Sequence, residues 1–164
     1  MKRILVVYYS QSGDAAAAVE AFVKPLRDAG AAVTMEQIRP TVEYPFPWKS
    51  FGRFFDVFPE CVLGRPPAIH PLSLDPDDRF DLVILAYQIW FLAPSLPAQG
   101  FLQSPYAKVL EDTKVITICV NRKMWHSGSE TTKAALRRLG ALHPDSVVVT
   151  YRGPPWTTFV TVVR

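Results

Sequence analysis

The stretch Ile4–Asp14, ILVVYYSQSGD, decides how this chain folds. Its first part, ILVVYY at residues 4–9, is an unbroken run of apolar, β-prone residues, as in a strand buried on both faces of a parallel sheet. Its second part, Ser10-Gln11-Ser12-Gly13-Asp14, is small and polar and leads into an alanine-rich segment. Such a loop has two readings. Backbone N–H groups at a helix N-terminus, helped by the helix dipole and by the hydroxyls of Ser10 and Ser12, hold an anion without a basic side chain. Alternatively, Ser12 or Asp14 caps the helix and Gly13 merely permits the turn. On these residues alone both stay open.

Outward from this stretch, strand and helix patterns alternate. DAAAAVEAFVKPLRDAG places Val19, Phe22, Val23 and Leu26 on one helical face and stops at Gly30, with Pro25 expected to kink or shorten the helix. AAVTMEQI at residues 31–38 is a second strand, and FDLVILAYQIW supplies a third, buried over residues 81–87. SLPAQGFLQSP is a helix limited by Pro105, KVITICV a fourth strand, SGSETTKAALRRLGA a helix ended by Gly140, and SVVVTY a fifth strand. No internal repeat or low-complexity tract interrupts the series. This alternation calls for a parallel sheet with helices on both faces and right-handed crossovers. Five strands in a chain of this length favour the flavodoxin-like order 2-1-3-4-5, whose ligands lie where the loops after strands 1, 3 and 4 converge.

The chain has 164 residues, 49% of them apolar, enough for one domain over 1–164 with a core of its own. Nowhere does an apolar run reach membrane-spanning length, and the N-terminus turns polar too early for a signal peptide. A soluble, cytoplasmic protein with no transmembrane segment is expected. Cys61 and Cys119 have neither metal-ligand spacing nor the density of a disulfide scaffold, so free thiols and no metal site are expected. The net charge of +3 is scattered; its densest group, Lys133, Arg137 and Arg138, reads as a solvated helix face, which gives no case for a nucleic-acid partner.

Two regions depart from the regular pattern. Residues 40–78 form a long insertion between strands 2 and 3, rich in proline and in aromatics (Tyr44, Phe46, Trp48, Phe51, Phe54, Phe55 and Phe58), with one short helix expected around 48–57. Those aromatics make either a local core under a long loop or a seat for a hydrophobic molecule. After strand 5 the chain runs RGPPWTTFVTVVR, where Pro154 and Pro155 exclude the helix that usually closes such a fold. With this tail, 153–164, atypical and the final helix apparently absent, the chain is expected to be a homo-oligomer or a fragment of a longer one. The expected contact lies around Trp156, Phe159, Val160 and Val162.

The converging loops hold the candidate site residues. Tyr87, Trp90 and Phe91 stand at the carboxyl end of strand 3, where a planar ring could stack. CVNRKMWHSGS brings Asn121, Arg122, Met124, Trp125 and His126 to the same edge after strand 4. A Cys119-His126-Asn121 nucleophilic set can be imagined, but a cysteine inside VITICV reads first as an inert core residue. No acidic pair ends strand 1 and no G-x-S-x-G elbow is present, which sets aside receiver domains and α/β-hydrolases.

On these residues the chain resembles the flavodoxin-like family of FMN-binding electron carriers and quinone reductases. Ser10, Ser12 and Gly13 match that family's phosphate loop, T/S-x-T/S-G-x-T, and APSLPAQGFLQS echoes the helix after its flavin-covering loop. The resemblance spans residues 3 to about 152. More narrowly, YPFPWKSFGRFFDVFPE, LAYQIWFLAPSLP and NRKMW resemble the subgroup labelled dialkylresorcinol condensing enzyme. The resemblance implies FMN, its phosphate on Ser10, Gln11, Ser12, Gly13, Asp14 and Ala15. Its isoalloxazine would lie between the loops of Trp90 and Trp125, near Tyr87, Phe91, Asn121 and Arg122. It further implies an FMN-dependent oxidoreductase of quinone-reductase type, acting on a small aromatic or quinone-like molecule. Its alternative is a cofactor-free accessory or binding protein in aromatic-lipid biosynthesis.

Two departures bear on this. Asp14 stands where the family carries a neutral residue, and Ala15 replaces the last threonine. A carboxylate about 4 Å from a phosphate charge costs about 1 kcal/mol in water and about 4 at an effective dielectric near 20, comparable to one or two loop hydrogen bonds. The loop is built like a cradle while its charge argues against tight FMN binding.

Overall fold

The computed structural model describes residues 1–121 and 124–150. Five long strands lie parallel: β1 (Arg3–Tyr8), β2 (Ala32–Gln37), β3 (Leu82–Trp90), β5 (Lys114–Asn121) and β6 (Leu142–Thr150). They are ordered β2-β1-β3-β5-β6, and a two-residue strand, β4 (Ala93–Pro94), pairs antiparallel with the end of β3. Counting only the long strands, this is the expected flavodoxin-like order. The sixth, short strand was not expected.

The unbroken apolar runs are explained by burial on both sides. Leu5, Val7, Val83, Leu85, Tyr87 and Cys119 face a core closed by α4 (Leu96–Leu102), a 3₁₀ turn (Pro105–Leu110) and α5 (His126–Arg138). Ile4, Val6, Ile84, Ala86 and Ile118 face the other way, onto Val19 and Val23 of α1 (Asp14–Asp28). On that second face β6 presents Val147 and Val149 to solvent. The tail residues named above, Trp156, Phe159, Val160 and Val162, lie outside the described residues, as does Arg122.

Several boundaries moved for physical reasons. Helix α1 runs through Pro25 to Asp28, because a proline near the last turn forfeits one hydrogen bond while Val19 and Val23 remain docked on the sheet. Strand β3 extends three residues past the expected end, since β4 supplies a partner for Ile89 and Trp90 after the pairing with β5 stops at Gln88. The insertion forms two short helices, α2 (Phe51–Asp56) and α3 (Phe58–Leu63), in place of the single one expected at 48–57.

Candidate functional site

The loop after β1 sits at the carboxyl edge of the sheet, where its order places a ligand. The N-cap of α1 is Gly13, in the left-handed region at φ 94°, and a Cβ there would meet nothing within 4 Å. That conformation needs glycine, and it opens the loop on its outer side. Neither Ser12 nor Asp14 caps the helix as the turn reading supposed. The Ser10 hydroxyl does so from upstream, accepting from the amides of Gly13 at 3.0 Å and Ala16 at 3.2 Å. The Ser12 hydroxyl donates to the Asp14 carboxylate at 2.8 Å, so an anion of the chain itself already lies at the positive end of α1. Ala15, wholly buried, anchors the first turn.

Gln11 points away from the loop and donates to the carbonyls of Tyr44 (3.1 Å) and Pro45 (3.3 Å), tying the loop to the insertion. The insertion's aromatics then close on β3. Trp90 meets the ring edges of Tyr9 (5.8 Å between centroids), Tyr44 (5.1 Å) and Trp48 (5.8 Å). Phe91 packs on Phe54 at 4.7 Å and Phe58 at 5.2 Å. Such edge-to-face contacts are each worth about 0.5–1.5 kcal/mol beyond area burial. The local-core reading of the aromatics holds for Trp48, which is buried, whereas Phe51, Phe55 and Phe58 stay exposed.

A buried clamp that the sequence reading missed fastens this lid. Gln99 of α4 donates through Nε2 to the carbonyls of Pro94 (2.6 Å) and Cys61 (2.9 Å). The Cys61 thiol donates to the carbonyls of Trp90 (3.3 Å) and Pro94 (3.4 Å), and burial pushes it up to about 12. No local sequence signal identifies Gln99, which looks like any polar helix residue; its role exists only once α3 lies against it.

The remaining candidates divide. Trp125 precedes α5 and stacks flat on His126 at 5.4 Å. Asn121 ends β5, with its amide donating to the carbonyl of Val149 at 3.4 Å, and its Oδ1 accepts from the Thr150 hydroxyl at 3.4 Å. Tyr87 is a correction: it is fully buried beneath α5, its hydroxyl raised above the ordinary tyrosine range by desolvation, and it offers no ring face to a ligand. The imagined cysteine nucleophile also lacks support. Cys119 is buried with its thiol pushed up to about 11 by desolvation, while His126 is engaged with Trp125. Among the described residues no group of acidic, histidine and cysteine side chains is placed to hold a metal, and no helix is long and apolar enough to cross a membrane.

No family model and no curated protein matches the chain. Solved structures do. A flavoprotein in complex with FMN from Lactobacillus acidophilus is 15% identical, over 92% of this chain and 93% of that one, with a TM-score of 0.63. The two-electron reduced flavodoxin of Megasphaera elsdenii is 14% identical over 97% and 96% of the two chains, with a TM-score of 0.56. A WrbA-like flavodoxin from Agrobacterium tumefaciens is 12% identical over 95% and 87%, also at 0.56. At these identities the likeness is one of fold: the chain has the flavodoxin-like fold.

Proposed function

We propose that this chain is a flavodoxin-like FMN-binding protein with oxidoreductase chemistry of the quinone-reductase type. The observation that carries the reading is the loop Ser10–Ala15, held open by the left-handed Gly13 and ordered by the Ser10 hydroxyl at the ligand-binding edge of this sheet. The residues fit such a group: the open side of Gly13 lets a phosphate approach the amides of residues 11, 12, 14 and 15, that of Gly13 being held by the Ser10 hydroxyl, and Trp90 and Phe91 give the ring an apolar wall. Trp125, Asn121 and Arg122 would complete the site from the β5 loop. Bound there, the flavin supplies hydride and electron transfer. The chain's own residues bind the phosphate, exclude water with the aromatic lid and orient a small aromatic or quinone-like substrate. The stretches YPFPWKSFGRFFDVFPE and NRKMW support a place in dialkylresorcinol-type aromatic-lipid biosynthesis, in the cytoplasm.

A second reading, a cofactor-free accessory or binding protein of the same pathway, is favoured by two contacts. Asp14 already lies at the helix N-terminus with Ser12 bonded to it, and the edges of Tyr9, Tyr44 and Trp48 surround Trp90. The absorbance spectrum of the purified protein and a fluorescence titration with FMN separate the two. Flavin bands, or saturable quenching abolished by Ser12→Glu, support the first. A colourless protein indifferent to millimolar FMN decides for the second. On either reading the chain is proposed to self-associate through the contact expected around Trp156, Phe159, Val160 and Val162; sedimentation as a monomer at all concentrations would refute that.

A further inference from the structure

Helices α2 and α3 carry an apolar stripe that the fold leaves uncovered. Val57 between them keeps right-handed helical angles, φ −80° and ψ −17°, and its carbonyl accepts from the Cys61 amide at 3.1 Å, so the second helix follows closely on the direction of the first, the break lying where Pro59 has no N–H to bond the Phe55 carbonyl. At about 100° per residue, Phe51, Phe55, Phe58 and Val62 fall within an arc of about 60°. In an ordinary surface helix that arc faces the core. Here all four side chains are between 45% and 59% exposed, and Leu63 and Leu92 add to them. The inward contacts come from the edge of the apolar side instead, where Phe54 packs on Phe91 and Cys61 is buried against β3 and β4. Arg53, Asp56 and Glu60 occupy the opposite, polar side, and Lys49 and Arg65 flank the two ends.

An exposed stripe with three phenylalanines leaves on the order of several hundred Å² of contiguous apolar surface, at the upper end of what a soluble monomer tolerates without a use for it. Its composition is that of a helix lying in a membrane interface: aromatic and aliphatic residues on one side, charge on the other, cations at the ends. We propose that the outer face of α2–α3 docks this protein onto an anionic bilayer. A lipid surface fits better than a second copy, because the chain carries a net charge of +3 and Lys49, Arg53 and Arg65 outnumber Asp56 and Glu60 along the segment. Trp90 is linked to this face through Phe58, Phe91, Phe54 and Trp48, which lie in successive ring contact. The inference does not depend on a bound flavin.

The test is flotation of the full chain with vesicles of phosphatidylcholine alone and of equal parts phosphatidylcholine and phosphatidylglycerol, at low and physiological salt. Phe51→Ser/Phe55→Ser/Val62→Ser removes exposed side chains, and circular dichroism checks that the fold persists. Lys49→Glu/Arg65→Glu tests the charge separately. Wild type is expected to float with the anionic vesicles, with the triple variant partitioning at least tenfold less and the charge variant showing an intermediate loss. Three results overturn the proposal: no flotation at low salt, equal flotation of wild type and triple variant, or no preference for anionic lipid. A concentration-dependent dimer that the triple variant abolishes, without vesicle binding, would assign the stripe to a second copy and overturn it as well.

Discussion

Asp14→Asn should tighten FMN binding, and the size of the effect follows from where the carboxylate lies. Asp14 is exposed in the first turn of α1, bonded only to the Ser12 hydroxyl among the described side chains, so solvent screening applies. A phosphate resting on the amides of residues 11, 12, 14 and 15 comes within about 5 Å of it, where each unit of charge repels by about 0.8 kcal/mol in water and a dianion by about 1.7. Physiological salt, with a Debye length near 8 Å, cuts this to about half. The expected gain is therefore about fifteen- to twentyfold in Kd at low ionic strength and about fourfold at physiological salt. The asparagine also gives up a favourable charge at the helix N-terminus, so the variant should unfold slightly earlier, by about 0.5 kcal/mol, while binding more tightly. Opposite signs for affinity and stability separate this effect from a general change in folding. Isothermal titration with FMN at two salt concentrations, alongside thermal melts, measures both. An affinity that is unchanged or weaker in Asp14→Asn at low salt, or a gain that salt does not reduce, would refute the electrostatic argument.

Three further outcomes are expected. Gly128→Ala should lower the melting temperature: the new Cβ would come 2.5 Å from Ile89 Cδ1, and also 3.2 Å from the carbonyl carbon of Ala93 and 3.3 Å from the carbonyl oxygen of Leu92, neither of which can swing aside. An overpacking cost of about 1–3 kcal/mol outweighs the helix-propensity gain of about 1, and a rise in Tm would contradict this. Gln99→Ala leaves the carbonyl of Cys61 only the Gly64 amide at 3.4 Å and that of Pro94 only the Cys61 thiol at 3.4 Å, a loss of about 1–3 kcal/mol, so limited proteolysis should cut within 48–66 and alkylation of Cys61 should accelerate, whereas unchanged rates would mean the clamp does not hold the lid. Alkaline pH should destabilise the fold: Cys61 and Cys119 move from 9.0 to about 12 and about 11, and Tyr44 from 10.0 to about 12, each chiefly through burial. Because the unfolded chain loses these protons first, stability is complete below pH 9 and falls as pH rises from about 9 to about 12; denaturant midpoints constant across that range would exclude the linkage.

The β/α order was readable because the central strands β1 and β3 are apolar on both faces and helices α1 and α5 are amphipathic, patterns that depend on local neighbours. The phosphate loop was half readable: its residue types announced a turn or a cradle, but Ser10 as the capping hydroxyl required the backbone path that brings it back to Ala16. Tyr87 was misplaced because alternation along a doubly buried strand says nothing about which side chains reach the edge. Its neighbours Trp90 and Phe91 stand beyond the last parallel pair. The insertion was least legible, since its contacts join residues some thirty to forty positions apart, as Gln11 with Tyr44, Phe54 with Phe91 and Cys61 with Gln99 do.

The tight reversal between β3 and β4 places two consecutive side-chain-bearing residues, Phe91 at φ 49° and Leu92 at φ 65°, where L-residues incur about 1–2 kcal/mol each. Asparagine and glycine would make the same turn at little cost. Phe91 recovers the expense through Phe54 and Phe58, whereas Leu92, 47% exposed, has no such return within the fold. The two positions should therefore answer differently to selection for thermostability alone. Glycine or asparagine should be enriched at 92 and resisted at 91, and a library varying only these two codons would show whether the leucine is kept for the molecule itself or for something it meets.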